Sequence, residues 1–172
     1  MNKNSMVQGG RGRGQAMTDA QFDQSAWLRR IGYSGPITPT LETLNRLILA
    51  HSHSISYETL DIMLGRPPKL DVASLQSKMI TNKRGGYCFE QNMLFRTGLR
   101  SLGYRITSLQ GRVVRGLEIN AQRPAIHMLL QVELPEGTYL ADVGFGNLAP
   151  TSALLLAPQI EQETPHELMR FI

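Results

Sequence analysis

The sequence predicts an α+β fold, a helical bundle followed by an antiparallel β-barrel-like part. Three observations predict it. Apolar residues recur at helical spacing up to about Gly103, strict alternation takes over from Ile106, and Leu134-Pro135-Glu136-Gly137 places turn residues between two alternating runs. At 172 residues, 41% of them hydrophobic, such a chain buries roughly 70% of the surface its unfolded form exposes, enough for a core without staples. The single cysteine excludes an internal disulfide and a Cys-rich zinc module, and it suits a reducing compartment. The longest aliphatic run, Ala153 to Ala157, is far short of the roughly 20 apolar residues of a membrane-spanning helix. A cytoplasmic protein with no membrane partner is therefore expected.

The formal net charge is +4, from 18 basic and 14 acidic residues. Lys3, Arg11 and Arg13 fall in a leader with no acidic residue, so the body is almost neutral and no nucleic-acid partner is expected. No apolar stretch follows those cations, so they do not form a secretory signal. Residues 1–17 read as a disordered leader or expression tag, 18–103 as a helical domain, and 104–172 as an incomplete β-barrel-like domain.

The elements follow in order. Thr18 with Gln21 fits a capping box for a first helix that ends near Gly32. Thr38 and Pro39 suit the N-cap and first position of a second helix, with Leu41, Leu44 and Ile48 on one face. Asp71 caps a third, whose inner side carries Leu75 and Met79. A fourth is predicted from Cys88 to Leu102, stopped by Gly103, with Phe95, Leu99 and Leu102 as its stripe. Strands are predicted over Ile106 to Val114, around Met128 to Leu134, and over Tyr139 to Val143. The segment Ala149 to Ile172 has no clear period and no convincing cap.

Chemistry concentrates at Arg84-Gly85-Gly86-Tyr87-Cys88-Phe89-Glu90-Gln91-Asn92. Two glycines allow a tight turn, and a cysteine opening a helix meets free N–H groups and the positive end of the dipole, which stabilise a thiolate. A buried cysteine acting as an apolar filler is the competing reading. A cysteine nucleophile needs a base, and the base an acceptor that fixes its tautomer, which singles out His127 and Asp142. A two-residue loop at Pro135 and Glu136 puts Asp142 opposite Leu129 and His127 opposite Gly144, so the two become diagonal neighbours on one face. A bulge at Gly137 puts them on opposite faces. Otherwise His127 is a core histidine and Asp142 merely precedes a turn.

His51 and His53, two apart at a helix end, suit carbonyl capping or the helix dipole. Without a third ligand they are a poor metal signal, and no metal is expected. Gly144 and Gly146 permit close backbone approach and leave N–H groups for an anion, but the third glycine and the helix of a dinucleotide fingerprint are lacking.

With these residues together, the chain resembles the arylamine N-acetyltransferase family. The resemblance is carried by Arg84 through Asn92, by His127 before Met128-Leu129-Leu130, and by Tyr139-Leu140-Ala141-Asp142-Val143-Gly144-Phe145-Gly146. It extends from about Tyr33 to Thr151 through Pro39 to Leu44, Leu60-Asp61 and Leu102-Gly103-Tyr104. The resemblance implies a cysteine-protease-like core with a Cys88-His127-Asp142 triad. Cys88 would take acetyl from acetyl-CoA and pass it to an arylamine or hydrazine in a ping-pong cycle. It also implies binding roles for Tyr87, Gly144, Phe145 and Gly146, an oxyanion donor at the Cys88 N–H, and a structural Arg84–Glu58 bridge. Ser56-Tyr57-Glu58-Thr59-Leu60 keeps the glutamate of the family's Pro-Phe-Glu-Asn-Leu motif but loses its proline and asparagine.

Acetyl-CoA is thus expected as a substrate, with no tightly bound cofactor. The family's third, α/β lid domain is expected to be missing. A less enclosed site would favour hydrolysis of the acetyl-cysteine, and exposed barrel edges would favour homo-oligomers. The competing functions are another thiol hydrolase of the same chain order and a ligand-binding fragment without turnover.

Overall fold

Asp23 opens the first helix by accepting the Ala26 N–H at 2.8 Å, and α1 runs Gln24–Arg30. The computed structural model describes residues 22–114, 116–118 and 121–172. The leader and the predicted Thr18–Gln21 capping box lie outside the described residues. Helix α2, Leu41–Ser54, is capped by Thr40, whose side chain accepts from the Thr43 N–H at 3.2 Å. The cap sits after the predicted Thr38–Pro39 pair because Thr40 is the hydroxyl three residues before that N–H. Helix α3 is the short turn Leu60–Met63.

Asp71 caps α4, Val72–Leu75, as predicted, through the Ser74 N–H at 2.9 Å. The chain continues as a π-helical turn, Gln76–Thr81, which keeps Met79 inside and carries Lys78. Helix α5 runs Cys88–Ser101 and ends before Gly103, whose φ of 91° continues no helix.

The helical core joins Trp27 of α1, Leu44, Leu47 and Ile48 of α2, and Leu94, Phe95 and Leu99 of α5, all at most 1% exposed. Fully burying each such side chain contributes roughly 1.5–3 kcal/mol. Gly98 sets how closely α1 meets α5, since a Cβ there would lie 2.7 Å from the Trp27 ring. His51 corrects an expectation. It belongs to this core with no exposed surface, edge-on to Phe95 at 5.1 Å and 2.9 Å from Gln91 Oε1, so it caps no carbonyl at the surface. Burial, and to a lesser degree the positive charge of Arg30, outweigh the Gln91 bond and push the His51 pKa down to about 4. His53 stays at the surface beside His166, ring centres 6.3 Å apart.

Strands β1 (Arg105–Arg112), β2 (Ala125–Leu134), β3 (Gly137–Ala141) and β4 (Leu154–Leu155) form an antiparallel sheet in that order. Met128, Leu130 and Val132 of β2 and Ala141 of β3 join the same core as α5. Leu134 pairs with Gly137 and Leu130 with Ala141, so the hairpin takes the register of a two-residue loop without a bulge.

No closed barrel forms among the described residues. β4 is only two residues long, and the chain then pairs β5 (Glu161–Glu163) with β6 (Leu168–Arg170) as a separate two-stranded sheet. β1 and β4 remain the two edges of the larger sheet, which corrects the barrel-like expectation to a mixed helix-and-sheet fold. The segment from Ala149 resolves into these short strands. Among the described residues no helix is long and apolar enough to cross a membrane, and no group of three or more His, Cys, Asp or Glu converges as for a metal ion.

Candidate active site

Helix α5 begins at Cys88 because the preceding Tyr87 is extended and its N–H is taken by Glu90 Oε2 at 3.1 Å, half of a capping box. The Arg84-Gly85-Gly86 segment that leads in runs beside Ser56–Glu58. Gly86 N–H donates to Ser56 O at 3.2 Å and Glu58 N–H to Gly86 O at 3.1 Å. Gly85 has no room for a side chain, since a Cβ would fall 2.0 Å from Ser56 O. The nucleophile candidate therefore sits in the first turn of a helix whose entry is held by a backbone ladder.

The register of β2 and β3 brings His127 and Asp142 together. His127 Nε2 lies 2.5 Å from Asp142 Oδ2, with both residues nearly buried. Asp142 follows the last paired residue of β3, and its carboxylate turns back to His127 on β2. With Nε2 committed to Asp142, Nδ1 is the nitrogen left for the Cys88 side chain. Cys88 Sγ lies 3.7 Å from Ile126 O, and its residue is 8% exposed. Burial opposes a charge on His127, but the Asp142 carboxylate bonded to it and the neighbouring Cys88 prevail and push its pKa up to about 9. An imidazolium is thereby favoured beside the thiol.

A cavity of about 540 Å³ opens on this pair, within the roughly 300–1,000 Å³ typical of small-molecule sites. Val113, Ile126 and Phe145 supply its apolar wall, Tyr57 and Asn147 polar tips, and Gly144 and Gly146 backbone. The Phe145 ring stands edge-on to His127, centres 4.7 Å apart. Gly144 is pressed against Cys88, for a Cβ there would lie 2.8 Å from both its Cα and its O. Tyr87 is not among the lining residues, and its ring pairs instead with Phe89 at 5.6 Å.

Arg84 bonds Glu58 at 2.8 Å, as the sequence suggested, and also Asp61 at 3.0 Å. Lys78 completes the network with Asp61 and Glu90, each at 2.8 Å, and with Glu58 at 3.6 Å. Burial opposes the Lys78 charge, yet Asp61 and Glu90 raise its pKa, while Lys78 and Arg84 lower that of Asp61. A second cavity, about 500 Å³, opens on these charges, away from Cys88.

Sequence reasoning assigned no role to Lys78, Gln91 or Asn92. Gln91 Nε2 donates to Ile55 O and Ser56 O at 3.2 and 2.8 Å, tying α5 to the Tyr57 segment. Asn92 reaches Met128 O, Asp142 Oδ1 and the Val143 N–H. Its signal was present, since residue i+4 from Cys88 shares the cysteine's helix face. Lys78 had none, because its partners come from loops and helices fixed only by packing.

A family model described as N-acetyltransferase matches residues 40–172. The chain belongs to the arylamine N-acetyltransferase family. It is 42% identical over 146 residues to the arylamine N-acetyltransferase of Escherichia coli, covering 85% of this chain and 52% of that protein. For the arylamine N-acetyltransferase of Mycobacterium bovis the values are 43% over 153 residues, 87% and 54%. The solved arylamine N-acetyltransferase of M. tuberculosis superimposes with a TM-score of 0.81 at 43% identity, over 85% of this chain and 56% of that one. The Mycobacterium marinum arylamine N-acetyltransferase, solved in complex with CoA, gives 0.81 at 41% identity over 86% and 56%. The chain thus spans about half the length of the curated arylamine N-acetyltransferases it matches.

Proposed function

We propose that this chain transfers acetyl from acetyl-CoA to an arylamine or arylhydrazine through a thioester on Cys88. The observation that carries this reading is the Asp142 carboxylate bonded to His127, with that imidazole and a thiol at a helix N-terminus lining one cavity. In the first half-reaction the Cys88 thiolate attacks the acetyl carbonyl, the C–S bond to CoA breaks, and the departing thiolate takes the His127 proton. In the second, the amine attacks the acetyl-cysteine, His127 accepts the amine proton, and the Cys88 thiolate returns. Asp142 holds the imidazole and balances its charge. The Cys88 N–H faces the developing oxyanion.

In this reading residues 18–103 supply the nucleophile, and residues 104–172 supply the base, its carboxylate and Phe145. Phe145 and Gly146 bind acceptor and CoA along the cavity. The CoA complex of the M. marinum relative supports CoA as the donor's carrier. Tyr87 acts from the helix cap on the turn that presents Cys88.

Incubation with acetyl-CoA, followed by intact-mass spectrometry, tests the proposal. A transient acetyl adduct is expected, absent in Cys88→Ala and His127→Ala, and discharged to N-acetylated product when an arylamine is added. An adduct that yields only free acetate identifies a thioester hydrolase. No adduct at short times and no CoA release overturns the proposal.

A further inference from the structure

We propose that Asn92 is the positioning residue of the Cys88–His127–Asp142 site, turning the Asp142 carboxylate so that Oδ2 faces His127 and anchoring it to the nucleophile's own helix. This rests on the assignment of Cys88 as nucleophile made above.

Asn92 lies four residues after Cys88, on the same face of α5, and has no exposed surface. Its amide makes three bonds. Nδ2 donates to Met128 O at 2.7 Å and to Asp142 Oδ1 at 2.9 Å, and Oδ1 accepts the Val143 N–H at 3.2 Å. Met128 is the residue after His127 and Val143 the residue after Asp142. One carboxamide thus grips Asp142 and the backbone next to both partners of the thiol. The orientation of the amide is dictated by its surroundings, since a carbonyl and a carboxylate need donors on one side and an N–H needs an acceptor on the other.

Such a clamp is needed because of where Asp142 stands. β3 pairing stops at Ala141, so no ladder fixes Asp142, and the terminal torsion of an aspartate is soft. Asn92 and the Gly144 N–H, at 2.8 Å, together occupy Oδ1. Oδ2 is then the oxygen left to hold His127 Nε2, which keeps Nδ1 toward Cys88. A Cβ on Gly144 would come within 2.6 Å of Asn92 Nδ2, so the amide is also confined from the strand side. The titratable groups around the thiol are His127 and Asp142 from the sheet side, Tyr87 just before it and Glu90 on the same helix, and Tyr57 across the cavity. Asn92 bonds only the Asp142 side of that set.

A residue that merely glues α5 to the sheet would affect stability alone, whereas a positioning residue changes the reactivity of a thiol it does not touch. The test uses the whole chain with Asn92→Leu, which matches the shape without polar atoms, and Asn92→Ser, which is shorter and keeps one hydroxyl. Cys88 alkylation by iodoacetamide is followed against pH, alongside kcat and KM for acetyl-CoA and thermal melting. Both variants should lose about tenfold or more in alkylation and acylation near neutral pH, with the alkylation midpoint rising by about one unit and KM changing little. Asn92→Ser combined with Asp142→Asn should lose no more than Asp142→Asn alone, a comparison that decides the matter even if the leucine variant does not fold.

Profiles that superimpose on wild type while melting temperatures fall would overturn the proposal, as would losses from Asn92→Ser and Asp142→Asn that multiply. A wild-type chain that forms no adduct at Cys88, or transfer that survives Cys88→Ala, would overturn the nucleophile assignment and this proposal together. A reactive wild-type Cys88 with indifferent Asn92 variants would defeat this proposal alone.

Discussion

Adding one methyl group at Gly144 should disable Cys88 without touching the side chains of Cys88, His127 or Asp142. The Cβ of Gly144→Ala would sit 2.8 Å from Cys88 Cα and O and 2.6 Å from Asn92 Nδ2, where ordinary contact begins at 3.4 Å. The strand end or the first turn of α5 must therefore retreat by roughly half an ångström or more, and most of the atoms in the way are backbone rather than flexible side chain. Overpacking of this kind costs about 1–3 kcal/mol in stability. The functional loss should be disproportionate, because the shift separates the helix carrying Cys88 from the segment carrying Asp142. A misplacement near 1 Å costs about 100-fold in rate, so a fall of about 10- to 100-fold in the acylation rate is expected. Stopped-flow CoA release in the first turnover, paired with a urea melt, measures both quantities. Wild-type acylation with an unchanged melt would show that α5 and the Asp142 segment do not meet as described.

Two histidines should give the stability a pH profile with opposite slopes. His127 has its folded pKa raised to about 9, above its ordinary value of 6.5, so its contribution is fully present below about pH 6.5 and is lost as pH rises through about 9. It amounts to about 3 kcal/mol at most, and urea melts from pH 6 to 10 should show His127→Asn flattening this limb. His51 is the reverse case. Its folded pKa is lowered to about 4, so its contribution is present above about 6.5 and is lost as pH falls through about 4, and His51→Gln should reduce that acid sensitivity in melts from pH 7 to 3.5. Lys78→Met should cost about 3 kcal/mol, because it leaves Glu90, with its side chain 3% exposed, without a counter-ion. Lys78→Arg should recover part of that loss in the same denaturation assay, and full stability in Lys78→Met would refute the network's role.

Much of the secondary structure was legible because its causes are local. Asp71 before the Val72 helix, Gly103 after α5, and the alternation from Met128 to Leu134 each depend on a few neighbouring residues. Boundaries shifted where two hydroxyls competed, as at Thr38 and Thr40, and the shift followed the one that reaches an N–H. The strands of the second half were legible but their closure was not. Whether an edge meets another edge depends on the length of β4 and the path after it, which alternation does not encode. His51 was misplaced because a helix-end position says nothing of what packs over it.

For the site, the sequence alone determined the chemical inventory. It holds one cysteine after a glycine turn, a histidine in a strand and an aspartate at the next strand's end, because residue type and helix start are written locally. It left the hairpin register open, and with it whether His127 and Asp142 share a face. Tertiary structure decided that register and seated Gly144 against Cys88. It also drew Lys78 under the first turn of α5 and closed Asn92 onto Asp142, fifty positions away. The physical reason is one of range. A helix cap or an alternating pattern is set within a few residues, whereas a hydrogen bond forms only within a few tenths of an ångström of about 2.9 Å, a tolerance that packing of the whole core must supply.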